Sequence, residues 1–295
     1  MHRATDRGLV LAALIDYAQR MSDDRISPTA AFTGQTWVEN GLSPANFGSA
    51  LGRAMYWSTR PAQVLMRRAG AATLQGMLLA RHSAIDTVIA DEIAEGRVSA
   101  VIELACGMSG RGHRFTSEFP DLPYIETDLP AMVARKQRAL DELGPHSDNH
   151  EVRVLDAFSS HGLFNLVAEL RAKYSELADG GGLAIIAEGL MNYFDEATVR
   201  NLWHRVVPLL GTGVFIGDLH TRDTNSGLLI AAYEAALGAF VRGKVHIHFQ
   251  DRAAAEAAMA AEGGRGELRS PADICDVREP ASAKRVWILQ MRTGA

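Results

Sequence analysis

From Ala84 to His220 the chain repeats one unit: a short apolar run, a break, and a stretch with helical spacing. The runs are AVIELA (100–105), PYIETD (123–128), EVRVLDAF (151–158), LAIIAEGL (183–190) and GVFIGDLH (213–220). Runs this short and this apolar read as strands covered on both faces. Strands that alternate with helices pair in parallel, because each connection must cross the sheet to start again at the same end. The expected fold class is therefore α/β. A terminal run, RVWILQM (285–291), adds a strand, and GELRSPADI (266–274) is placed to pair with it as a hairpin. Helices are expected at 84–96, closed by Gly96, at 165–178, closed by Gly180–Gly182, over 195–210 with Asp195 as N-cap, and over 226–243 and 253–261. Ahead of Ala84, 9–21 and 62–82 have helical spacing, and 27–49, rich in Gly, Pro, Ser and Asn, reads as loop.

Composition narrows the class. A chain of 295 residues, 47% apolar, can bury a core without staples. A net charge of −5 argues against a broad nucleic-acid surface, which depends on neutralising phosphates. The two cysteines, Cys106 and Cys275, form neither a disulfide framework nor a metal spacing, which fits a reducing, cytoplasmic setting. No uninterrupted apolar stretch is long enough for a membrane span: Glu188 and Glu234 break the longest ones. The first residues are arginine-flanked and apolar, but Asp16 interrupts the run and no small-residue cleavage site follows. No signal peptide is expected.

The chemistry concentrates after the first strand, in SAVIELACGMSGRGHRF (99–115), where three glycines follow Glu103 within ten residues. A glycine-rich turn between strand and helix lets backbone approach a ligand closely. A nucleotide-triphosphate loop needs Gly-Lys-Ser/Thr, and Gly110 and Gly112 are followed by Arg111 and His113 instead. A dinucleotide loop is nearer, with Ala105 in place of its first glycine and Glu126 and Asp128 about twenty residues on. Glu103 separates the ligands: a strand-end carboxylate repels a pyrophosphate and welcomes an ammonium and a sulfonium. A core arginine pairing with Glu103 is the structural alternative, since a buried carboxylate needs a partner.

These residues resemble a known family. ARHSAIDTVIADEI, VIELACGMSGRGHRF, PYIETDLPAMVARKQRAL and IIAEGLMNYFDEATVRNL, in that order between Leu78 and Leu202, are similar to the leucine carboxyl methyltransferase family of class I S-adenosylmethionine-dependent methyltransferases, which includes bacterial polyketide and natural-product O-methyltransferases. The resemblance implies a Rossmann-like, seven-stranded, mostly parallel sheet with helices on both faces, its last strand inserted antiparallel. It implies a helical N-terminal lid (1–80) and a donor-binding core (81–295), together one structural domain. It implies that Arg81 contacts the donor's carboxylate. Glu103, Ala105 and Gly107 would lie beneath its methionine part, Asp128 on the ribose hydroxyls, Asp156 and Ala157 beside the adenine, and Glu188 near donor and acceptor. The loop departs from the family's Gly-Ala-Gly-Leu-Asp-Thr-Arg: it keeps Gly107 and Arg111 and has Ser109 for the aspartate.

The residues carry part of this independently. Asp128 at a strand tip can accept from two ribose hydroxyls, or act as an N-cap for the helix that Pro130 opens. Asp156 fits a turn as well as a ligand, and Arg81 could snorkel from its helix. Tyr193 and His220 are the acceptor-side candidates for catalysis, and His220 ends the fifth strand, where ligands bind in such sheets. His246 and His248 lack a third ligand, so no metal is expected. The expected activity is methyl transfer from S-adenosylmethionine to an oxygen, carboxylate or hydroxyl, of a small-molecule acceptor. Neither nucleic acid nor membrane is expected as partner, and a homodimer stays open. After the fourth strand the chain reads EGLMNY, not an Asn-Pro-Pro-Tyr-type nucleic-acid motif. The alternatives are a nicotinamide-dependent oxidoreductase and a donor-binding protein without turnover.

Overall fold

The structure is a computed structural model and describes residues 28–159, 161–224 and 246–294. Its strands are β1 Ala100–Leu104, β2 Tyr124–Asp128, β3 His150–Val154, β4 Leu183–Ala187, β5 Val214–Leu219, β6 Gly264–Arg269 and β7 Trp287–Thr293. They form one seven-stranded sheet in the order β3-β2-β1-β4-β5-β7-β6. β1 to β5 pair in parallel, and β7 runs antiparallel between β5 and β6. The expected sheet, its inserted antiparallel strand and the β6–β7 hairpin are all present. Among the described residues the helices are α1 Pro28–Glu39, α2 Ala50–Arg68, α3 Leu74–Ala94, α4 Arg111–Glu118, α5 Pro130–Asp141, α6 Gly162–Lys173, α7 Ser175–Ala178, α8 Glu196–Val206, α9 Arg252–Ala261 and α10 Pro280–Ala283. The helices expected over 9–21 and 226–243 lie outside the described residues.

Strand alternation divides the core in two. Ile102, Leu104, Ile125, Ile185 and Phe215 point to one face and pack with Leu166 and Leu170 of α6 and Leu202 and Trp203 of α8. Val101, Tyr124, Ala184, Ile186, Val214 and Ile216 point to the other and pack with Ile85, Val88 and Ile89 of α3 and Phe115 of α4. Because side chains alternate with a period of two, Glu103, Glu126, Glu188 and Asp218 follow Val101, Tyr124, Ile186 and Ile216 onto that second face. Four acids at the carboxyl ends of four strands therefore meet the α3–α4 layer.

Two expectations for the first third are corrected. Residues 27–49, read as loop, contain α1 and a 3-10 turn at Ala45–Phe47. Burial outweighs the loop-like composition: Phe32 and Trp37 are buried, Pro28 occupies the first turn where its missing N–H costs nothing, and Thr36 Oγ1 donates to Phe32 O at 2.9 Å. A β-carbon added at Gly34 would stand 3.4 Å from Met108 Cβ, so the glycine sets α1 close over the loop after β1. The single helix expected over 62–82 is two. α2 begins earlier, at Ala50, and stops before Gly70, whose φ is +69°, and Thr73 then caps α3 by accepting from Gly76 N. α3 runs unbroken through residue 80, where the helical region was divided from the core. Among the described residues no helix is long and apolar enough to cross a membrane.

Glu92 near the end of α3 ties that helix to the sheet. It accepts from Arg97 Nε at 2.8 Å and Arg292 Nη1, on β7, at 2.9 Å. Burial raises its pKa, but the two guanidiniums outweigh burial and bring it down to about 2. A folded-state pKa below the ordinary 4.5 stabilises the fold above pH 4.5, and that stabilisation disappears as the pH falls toward about 2. Urea unfolding should therefore find Glu92→Gln less stable than wild type at pH 6. The difference should shrink steadily as the pH is lowered from 4.5, and a gap independent of pH would refute the pairing.

Candidate functional site

The loop after β1 answers what its glycines are for, and each does something different. Ala105 and Gly107 both have φ of +52°, and Ala105 is the one non-glycine residue with positive φ among those described. An L-residue there is strained by about 1–2 kcal/mol. Nothing lies within 4 Å of a β-carbon built on Gly107, so the bend presents bare backbone to open space. At Gly110 a β-carbon would fall 2.6 Å from Leu42 O, because the segment after α1 crosses there. At Gly112 it would fall 2.7 Å from Glu126 Cδ, because the first turn of α4 lies on that buried acid.

Arg111, the first residue of α4, is fully buried. Its Nε donates to Asp86 Oδ1 at 2.5 Å, Nη1 to Glu103 Oε1 at 2.7 Å and Nη2 to Glu188 Oε2 at 2.5 Å. One guanidinium thus bridges α3, β1 and the end of β4. Tyr124 Oη donates to the second Glu103 oxygen at 2.7 Å. Both Glu103 oxygens are thereby engaged, one by a core arginine, the alternative that the sequence left open for it. Burial raises its pKa, Arg111 opposes that rise, and Glu126 adds to it. The sequence signal was its parity with Val101, since a residue two from a core position points the same way.

Glu188 and Arg81 meet at the neighbouring strand ends. Arg81 Nε donates to Glu188 Oε1 at 2.9 Å and Nη1 to Asp218 Oδ2 at 3.1 Å, while Nη2 lies toward Gly189. His82 Nδ1 stands 2.9 Å from Glu188 Oε2. Burial raises the Glu188 pKa, but His82, Arg111 and Arg81 together hold it well below the carboxylate range. Tyr193, on the 3-10 turn Met191–Tyr193, feels the charges of Arg81 and Asp218 and is raised chiefly by burial. His220, just past β5, has Nδ1 2.7 Å from Arg285 O, so Nδ1 carries the proton and Nε2 keeps a lone pair. Burial, with Arg81 opposing protonation as well, lowers its pKa, although Asp218 and the Arg285 carbonyl pull the other way. His82 and Asp218 were not singled out in the sequence; Asp218 shares Glu188's parity, and His82 follows Arg81 directly.

Asp128 accepts from Gly107 N at 2.8 Å through Oδ2 and from Leu129 N at 2.7 Å through Oδ1. It clasps the glycine loop to the end of β2, and each oxygen retains an acceptor position. The N-cap of α5 is Leu129, so the capping alternative for Asp128 is corrected. Asp156 Oδ1 accepts from Phe158 N at 2.9 Å, an Asx turn, and Ala157 O accepts from Arg205 Nη2 at 3.0 Å. Arranged by strand order, the predicted residues run along one edge: Asp156 and Ala157 after β3, Asp128 at the end of β2, Ala105 and Gly107 after β1, Glu188 after β4 and His220 after β5. With strands about 4.8 Å apart, β3 to β4 spans about 14 Å, room for an extended nucleoside joined to an amino acid. His246 and His248 lie against the segment after β4: His246 N donates to Asn192 O at 2.8 Å, and His248 Nε2 bonds Phe194 O at 2.6 Å. Among the described residues no group of three His, Cys, Asp or Glu is arranged for a metal. A hollow lined by Asp141, His146, Asp148 and His150 opens at the amino end of β3, away from this edge.

Comparisons with known proteins agree with this geometry. A family model for leucine carboxyl methyltransferase matches residues 41–207. The fold is similar to that of a candidate methyltransferase from Thermobifida fusca, 13% identical, with a TM-score of 0.59 over 84% of this chain and 90% of that one. It is also similar to a DUF574 family protein from Streptomyces avermitilis, 11% identical, with a TM-score of 0.61 over 90% of this chain and 97% of that one. No curated protein matches the chain.

Removing the guanidinium would leave three carboxylates facing one another in the interior. Arg111→Met should lower the unfolding free energy by about 3–5 kcal/mol, and Arg111→Lys, which cannot reach three acceptors in one plane, should recover only part of it. Denaturant titration of the three proteins checks this, and a loss under 1 kcal/mol for the methionine variant would refute it.

Proposed function

The chain belongs to the leucine carboxyl methyltransferase family and is an S-adenosylmethionine-dependent methyltransferase; from that premise we propose that it methylates an oxygen of a small-molecule acceptor. The order of residues along the strand ends supports this reading. Asp156 and Ala157 take the adenine, Asp128 the ribose hydroxyls and the bare backbone at Gly107 the homocysteine chain. Arg81 takes the donor's carboxylate and Glu188 its ammonium. The residues fit such a molecule: acceptors meet hydroxyls, a cation meets the carboxylate, and the left-handed bend at Ala105 and Gly107 leaves space where a side chain would intrude. The donor supplies a methyl group bound to a positively charged sulfur. The acceptor oxygen forms the new C–O bond as the C–S bond breaks, and the protein's part is orientation, worth about 7–11 kcal/mol in favourable cases.

His220 supports a hydroxyl acceptor. Its Nδ1–H is committed to Arg285 O, so Nε2 is the basic atom, and its lowered pKa keeps it unprotonated at neutral pH. Tyr193, more than a third exposed beside Arg81, sits on the acceptor side with it. A carboxylate acceptor, already ionised, would need no base.

Calorimetric titration with S-adenosylhomocysteine, with NAD in parallel, tests the donor site. Asp128→Ala should weaken the homocysteine derivative by about ten- to a hundredfold, the worth of a charge-assisted hydrogen bond. Binding of NAD instead would favour an oxidoreductase, and binding without turnover of any acceptor would favour a sensor.

Once an acceptor is found, the rate should fall on an acid limb below the ordinary histidine value of 6.5. His220→Asn should lower kcat by about 10²–10⁴-fold and abolish that limb. A pH-independent rate unaffected by the substitution would exclude the base and point to a carboxylate.

A further inference from the structure

His82 is fully buried and stands where the covering helix, the arginine pair and the strand-end acid meet. Trp37 of α1 lies against its ring, with centroids 4.2 Å apart and planes inclined by 30°. Its Nε2 faces Arg114 Nη2 at 3.0 Å, and Arg114 Nε donates to Leu42 O, just after α1, at 3.0 Å. Its Nδ1 faces Glu188 Oε2 at 2.9 Å. Arg111 Nη2 stands 2.8 Å from the same Nδ1, so an arginine faces each ring nitrogen. The Nδ1 edge is the one that meets both Glu188 and the arginine bound to it.

We propose that His82 is a positioning residue: its Nδ1 edge, against Oε2 of Glu188 and Nη2 of Arg111, holds Glu188 in the orientation that receives the donor's ammonium group, and Trp37 of the covering helix holds His82. This rests on the reading of Glu188 as the ammonium's partner. A carboxylate offers about four acceptor positions. Arg111 and His82 crowd Oε2, and Arg81 fills one position on Oε1. The position left for an incoming N–H is on Oε1, and the two contacts on Oε2 fix the plane in which it points. The covering helix thereby senses and sets the donor site through one ring, without touching the acid itself.

Two substitutions separate the nitrogens. The amide nitrogen of His82→Asn falls near Nδ1, and that of His82→Gln falls near Nε2. S-adenosylhomocysteine affinity and thermal midpoint are measured for both, with Glu188→Gln alongside. The expected result is near-wild-type affinity for the asparagine variant and a loss of about tenfold or more for the glutamine variant and for Glu188→Gln. If Glu188→Gln weakens binding while His82→Gln does not, or if both histidine variants weaken it equally, the proposal is overturned and the donor-site reading stands. If Glu188→Gln binds as wild type does, the donor-site reading fails first. Trp37→Leu, alone and with Glu188→Gln, gives a second route that holds even where His82→Gln does not fold. The effect of Trp37→Leu on affinity should vanish in the Glu188→Gln background, and additive effects would overturn the proposal.

Discussion

The guanidinium of Arg111 is the interaction on which the rest depends. It is fully buried and bridges Asp86 of α3, Glu103 of β1 and Glu188 after β4. Each of these acids would be prohibitively placed alone, because an ionised group away from water is tolerated only when paired and hydrogen-bonded. With the arginine present, acids can stand at the carboxyl ends of adjacent parallel strands. The pKa values record the balance: burial drives the carboxyls up, and at Glu188 and Asp86 the surrounding cations outweigh burial.

Around that centre the glycine loop has a mechanical role as well as the binding one proposed for it. Only Gly107 offers bare backbone to open space; Gly110 and Gly112 permit the close passage of the covering segment and the seating of α4 on Glu126. Beneath α4, Glu126 is satisfied by Lys136 and by His150 Nε2, a second buried set of charges one strand over. Two polar layers therefore support the loop from below, and α1 with the segment after it closes it from above through Gly34 and Ser43, both against Met108.

Much of this was legible in the residues. Strands of five or six apolar positions, alternating with helical stretches, required a parallel sheet, and the terminal pair of runs required a reversed strand. Asp128, Glu188, Arg81 and His220 stand at strand ends or just ahead of the sheet, so order along the chain placed them on one edge. The misreadings have physical causes. Residues 27–49 look like a loop because local propensity ignores the burial of Phe32 and Trp37. The pairing of Glu103 with Arg111 was one of two readings its charge allowed, and its parity with Val101 was the signal for it.

What the sequence by itself determined was the sheet, its edge and the types of group along it, because a period of two and the strand–helix alternation are local properties of the chain. What only the tertiary structure decided was which groups spend their charge on one another. Arg111 is eight residues from Glu103 but seventy-seven from Glu188, and Trp37 meets His82 across forty-five residues of chain. No spacing rule encodes such pairings; they follow from the packing of α1 and α3 against the strand ends, which brings desolvated charges close enough to need each other.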